Sequence, residues 1–147
     1  MEIKEGRLYF IKDEFLIKYG KKYNLMDNKE EKGTKRPTYF CFRDSKQKEL
    51  LWFVPMSKQY EKYMTIYENK KGKIKKEPNN FIFFKNIAGL KGVFLIQNMF
   101  PTIEKYVQEE YFRKGQEIKV PVPIKKEILQ KARTVIVLAN KGIVSTY

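Results

Sequence analysis

Apolar residues fall along this chain in short runs separated by charged loops, and most of the runs carry the aromatic and β-branched residues of strands. Arg7 to Ile11 reads as an aromatic strand, followed by a short helix from Glu14 to Tyr19 with Asp13 as N-cap and Gly20 as stop. Met26 to Lys35 has no apolar periodicity and reads as a loop, closed by Arg36-Pro37. Proline pushes the residue before it towards extended geometry, which places Arg36 at a defined strand entrance.

Thr38 to Arg43 and Leu50 to Val54, separated by the polar DSKQKE, predict a β-hairpin whose strands are apolar on both faces. The second strand is expected to end at Pro55, so that Ser57 and Lys58 project from a rigid edge. Beyond it, Gln59 to Met64 predicts a turn or one helical turn. Thr65 to Glu68 predicts a strand that breaks at the lysine-rich loop NKKGKIKKEPNN. Phe81 to Phe84 and Gly92 to Ile96 read as strands, Thr102 to Val107 as a mixed apolar and polar run, and Glu109 to Gly115 as a helical or turn segment. Val120 to Pro123 reads as an extended strap.

The periodicity changes at Ile124. Ile124, Ile128, Leu129, Ala132, Val135, Ile136 and Ala139 recur at helical spacing, with Lys141-Gly142 as a stop. The apolar face of this amphipathic helix suits a sheet rather than a membrane. No internal repeat is present. The elements together predict an α+β protein, and 147 residues predict one domain over 1–147.

Charge alters this picture more than any other property. Thirty-one Lys and Arg against 17 Asp and Glu leave a net charge of +14, which draws nucleic acid, an anionic membrane or an acidic protein by the same long-range field. Tyr19, Lys21, Lys22 and Tyr23 interleave aromatics with cations, a composition suited both to base stacking and to an ordinary solvated edge. The N-terminal stretch has no apolar signal-peptide core, and no run predicts a membrane span, so a cytoplasmic protein is expected. The lone Cys41 lies in an apolar run and predicts a reduced, buried thiol.

The chain has no histidine, which excludes histidine-dependent triads, paired-histidine RNA cleavage and the usual zinc sites. One cysteine excludes a thiolate metal cluster, and the acidic residues show no two-metal spacing. Neither a phosphate-binding loop nor a dinucleotide fingerprint occurs. No metal and no cofactor is called for. Lys, Arg, Ser, Thr and Tyr remain, and they suit attack by an RNA 2′-hydroxyl on its own phosphate, because the substrate brings the nucleophile. Lys58, Ser57 and Arg36 would align the phosphate, offset its charge and help move protons.

Leu8-Tyr9-Phe10-Ile11, the loop ending in Arg36-Pro37, Phe53-Val54-Pro55-Met56-Ser57-Lys58 and Phe94-Leu95-Ile96-Gln97-Asn98-Met99-Phe100-Pro101 occur in an order that resembles the ToxN/AbiQ family. These are endoribonuclease toxins of bacterial type III toxin-antitoxin systems, and the likeness is closest to the CptN branch. The resemblance implies a compact SH3-like β-barrel with a MazF/Kid-like core and added helices. It also implies metal-independent cleavage to a 2′,3′-cyclic phosphate and a 5′-hydroxyl, and a role in phage defence or growth arrest.

The partners it implies are substrate RNA and a small pseudoknot RNA antitoxin, processed by the toxin and held with it in a closed assembly, with no DNA or membrane. Pro55, Ser57 and Lys58 match the family's Pro-x-(Thr)-Ser-x-Lys strand end, except that serine and lysine are adjacent here. Catalysis is expected from Lys58, Ser57 and Arg36, and RNA contact from Tyr9, Lys12, Thr34, Lys35, Lys62 and Lys85. On the residues alone, a non-catalytic RNA-binding domain and a basic adaptor for an acidic protein remain open.

Overall fold

The computed structural model describes residues 1–28, 35–74 and 81–140. Strand β1 (Leu8–Ile11) leads into helix α1 (Asp13–Tyr19), and the chain returns through the hairpin β2 (Thr38–Arg43) and β3 (Leu51–Ser57). Helix α2 (Tyr60–Ile74) precedes the hairpin β4 (Phe81–Ile87) and β5 (Leu90–Leu95). Short strands β6 (Phe100–Thr102) and β7 (Val107–Glu110), a small ribbon of β8 (Phe112–Arg113) and β9 (Gln116–Glu117), and helix α3 (Val122–Asn140) complete the order.

Seven strands form one antiparallel sheet in the order β4-β5-β3-β2-β1-β7, with β6 paired to the first half of β3. This is the expected α+β class. The SH3-like barrel, however, is not closed: β4 and β7 end the order, and no pairing joins them among the described residues.

Both faces of the central strands are covered, as their uninterrupted apolar runs require. Leu8, Tyr39, Val54, Met56 and Phe94 face α3, whose Ile128 and Ala132 are fully buried. Tyr9, Ile11, Phe40 and Phe53 face the other way, onto Phe15 of α1 and onto Phe100 and Tyr106. A register shift between Phe40 and Phe42 brings Cys41 and Phe42 to the same core.

Several local expectations are corrected. The segment Thr65 to Glu68 is helical, not a strand: Tyr60, Tyr63 and Tyr67 recur at helical spacing and lay their rings on Phe81 and Phe83 of β4. The lysine-rich run is helical as far as Ile74, and the remainder of it, 75–80, lies outside the described residues. Glu109 to Gly115 is not helical but runs from the end of β7 through β8 to a tight turn, in which Lys114 and Gly115 both take positive φ. Val122 and Pro123 belong to the first turn of α3, where proline's missing N–H costs nothing. Lys12, not Asp13, occupies the N-cap of α1, and Asp13 Oδ1 instead accepts the Asn28 amide at 2.8 Å. The expected stop at Lys141-Gly142 lies outside the described residues.

Candidate active site

β3 does not end at Pro55 but continues to Ser57, and its pairing explains how proline is tolerated. Met56 N–H donates to the Pro37 carbonyl at 3.0 Å, so alternate N–H groups of β3 point towards β2. Position 55 therefore points its nitrogen the other way, into the interval between β6, which pairs with residues 51–53, and β5, which pairs with Met56 and Ser57. No ladder bond is lost there.

Beyond Ser57 the chain turns sharply into α2. Ser57 is 1% exposed, and its Oγ accepts the Gln59 N–H at 3.1 Å. That bond shapes the turn that carries Lys58. The half-buried Lys58 extends its ammonium over the ring of Tyr111, with Nζ 5.5 Å from the centroid. Tyr111 is fixed in turn by its N–H bond to the Leu8 carbonyl at 2.8 Å and by its ring contact with Phe10 at 5.1 Å.

Arg36 approaches the same strand end from beneath. It is 8% exposed; its Nε donates to the Asp27 carbonyl at 2.9 Å and its Nη1 to the Met56 carbonyl at 3.3 Å. Its backbone N–H also bonds the Asn28 carbonyl at 2.7 Å. Arg36 thus clamps the segment after α1 to the residue preceding Ser57, and it holds a fixed positive charge below the turn. On the other side of this strand end, Gly92 lets β5 pass close to Ser57: a Cβ there would lie 2.2 Å from the Ser57 carbonyl oxygen and 2.9 Å from the Phe84 ring.

The structure therefore gathers Ser57, Lys58 and Arg36 at one end of β3. The residues expected to touch RNA are more dispersed. Tyr9 is wholly buried, packs edge-on against Phe53 at 6.4 Å and accepts the Lys4 N–H at 2.7 Å. Its position offers no ring face to a base, and burial pushes its hydroxyl above the ordinary phenol range, with the Lys4 bond opposing the shift. Lys12 stands at the N-cap position of α1 with no capping side-chain bond, and Lys35 bonds the Gln108 side-chain oxygen. Lys62 lies exposed on α2 with its Nζ 5.4 Å over Tyr63, and Lys85 is exposed on β4. Thr34 lies outside the described residues.

Tyr111, Phe10 and Gly92 are the members of this site that sequence reasoning missed. Tyr111 stands 53 positions from Lys58 in the chain, and only the β1 to β7 pairing brings them together. Among the described residues, no three His, Cys, Asp or Glu side chains converge as ligands for an ion. No helix is long and apolar enough to cross a membrane among these residues.

An open antiparallel sheet covered on both faces, with a lysine turn at the end of a central strand, sums up the chain's architecture. No family model and no curated protein matches it in sequence. Among solved structures it is similar to ToxN, from work described as "A processed non-coding RNA regulates a bacterial antiviral system", with a TM-score of 0.63 and 12% identity over 95% of this chain and 89% of that one. It is also similar to AbiQ, "a lactococcal anti-phage endoribonuclease belonging to the type-III toxin-antitoxin system", with a TM-score of 0.60 and 14% identity over 90% and 81%. The chain has the fold of ToxN and AbiQ.

Proposed function

We propose that this protein is an endoribonuclease toxin of a bacterial type III toxin-antitoxin system, of the CptN branch, acting in phage defence or growth arrest. The observation that carries the reading is the convergence of Lys58 and Arg36 on the Met56-Ser57 strand end, in a fold shared with an endoribonuclease over 90% of the chain. The basic excess of the chain suits an RNA substrate and an RNA antitoxin, here taken to be a small processed pseudoknot in a closed assembly. A MazF/Kid-like core belongs to the same reading.

The 2′-oxygen of the substrate attacks the adjacent phosphorus and gives its proton to a base. The bond from phosphorus to the 5′-oxygen breaks, and that oxygen takes up a proton, leaving a 2′,3′-cyclic phosphate and a 5′-hydroxyl. Lys58 stabilises the charge that builds on the phosphate or protonates the leaving oxygen. Ser57, through its Gln59 bond, sets the turn that presents Lys58 to the phosphate. Arg36 contributes positive potential from below. The nucleophile belongs to the substrate, so the reaction needs no metal ion.

Incubation of RNA with the protein in excess chelator tests this reading. The expected products carry cyclic phosphate ends, and a substrate with a 2′-deoxy sugar at the cut position is left whole. Lys58→Ala is expected to lower cleavage by about 10²-fold or more with a much smaller loss of RNA binding. Intact RNA under all conditions, with binding preserved, identifies a non-catalytic RNA-binding domain instead.

A further inference from the structure

At the opposite end of β3 from Lys58 lies a cavity of about 580 Å³, enclosed by α1, the start of β3, β6 and α3. Tyr19, Tyr23, Trp52 and Tyr106 line it, together with Thr102. Tyr23 is 59% exposed at its mouth. Thr102 is 3% exposed, and its Oγ1 has no hydrogen-bond partner among the described residues. A buried hydroxyl left in this way costs free energy unless something else satisfies it.

Three lysines each precede a lining tyrosine in the chain and hold the ammonium group against its ring. Lys18 Nζ lies 5.3 Å from the Tyr19 ring centroid, Lys22 Nζ 5.3 Å from that of Tyr23, and Lys105 Nζ 5.2 Å from that of Tyr106. All three lysines are exposed. Asp44 at the lining is already engaged, accepting Trp52 Nε1 at 3.0 Å and the N–H groups of Lys46 and Gln47, while Glu14 acts on Lys18 from one helical turn away and Glu104 adjoins Lys105.

Aromatic faces alternating with ammonium groups match one polymer in particular, an unpaired nucleic acid strand, whose bases stack on rings while its phosphates meet cations. We propose that this groove is a second RNA-binding site, which takes unpaired bases of an RNA whose cleaved part lies at Lys58. The proposal rests on the ribonuclease reading for its choice of polymer. From Trp52 to Lys58 the strand spans about 20 Å, so one RNA several nucleotides long reaches both.

Trp52 is the only tryptophan of the chain and reports directly on the groove. The test is titration of Trp52 emission with an unstructured 2′-O-methyl oligoribonucleotide, which cannot be cut. A saturable change is expected, persisting in Lys58→Ala and weakened about tenfold in Tyr23→Ala and in Lys22→Ala, as the loss of one stacked base or phosphate contact predicts. Both altered residues are exposed, so the fold is retained. An unchanged affinity in both variants overturns the proposal, as does a response to adenosine monophosphate as strong as to the oligomer, or a response to a fatty acid and not to RNA. If the native chain cuts RNA while Trp52 is silent, the groove proposal fails and the ribonuclease reading stands. If Trp52 responds and nothing is cut, the reverse holds.

Discussion

Arg36 bonds two backbone carbonyls from distant parts of the chain, those of Asp27 and Met56. Arg36→Ala removes a donor from the buried Met56 carbonyl and unties it from the Asp27 segment. It is expected to lower stability by about 1–3 kcal/mol, read as a fall in the thermal midpoint of several degrees, and to reduce cleavage by loosening the strand end. Gly92→Ala is expected to be worse for activity than its size suggests, because the new methyl meets a strand backbone and not a flexible side chain. Thermal melting and cleavage measured on the same preparation check both. Burial pushes the Cys41 thiol far above its ordinary range, so its thiolate is scarce in the folded state. Ellman's reagent should label it only as fast as the protein unfolds, and ionisation of the unfolded thiol should erode stability as pH rises above about 9.

Among elements, α2 matters most to the site because it begins two residues after Lys58. Tyr63 anchors it, 5% exposed and packed edge-on against Phe81 at 5.7 Å. Tyr63→Ala is expected to cost about 3 kcal/mol in denaturant unfolding. The β2-β3 hairpin and α3 were legible in the sequence, the first from apolar runs around a polar turn and the second from its 3.6-residue period. The helix α2 was not, because Thr65-Ile66-Tyr67 has strand propensity and the lysines around it mask the spacing of the tyrosines. What decides its structure is packing against β4, a tertiary effect that propensity does not contain. The site divides along the same line. Ser57 and Lys58 were visible as the polar end of a strand, and Arg36 through its proline. Tyr111 and Gly92 were hidden, since each acts on a partner dozens of residues away.

For the molecule as a whole, a net charge of +14 makes RNA affinity a strong function of salt. Neutralising Lys18, Lys22 and Lys105 together should lessen the slope of log affinity against log salt by about 2, measured with the uncut oligomer. A charge change on a face that does not touch the strand should alter the slope much less.

Strand β3 has hydrogen-bonded neighbours on both edges, β2 along one side and β6 then β5 along the other. Its amides should be among the last in the protein to trade hydrogen for deuterium, with Pro55 a silent position in their midst. One opening event would then expose both ends together, dismantling the Trp52 wall and the Lys58 turn in the same step. Bound RNA that touches both ends should slow exchange along the whole strand, whereas a ligand held at one end alone should protect only that half.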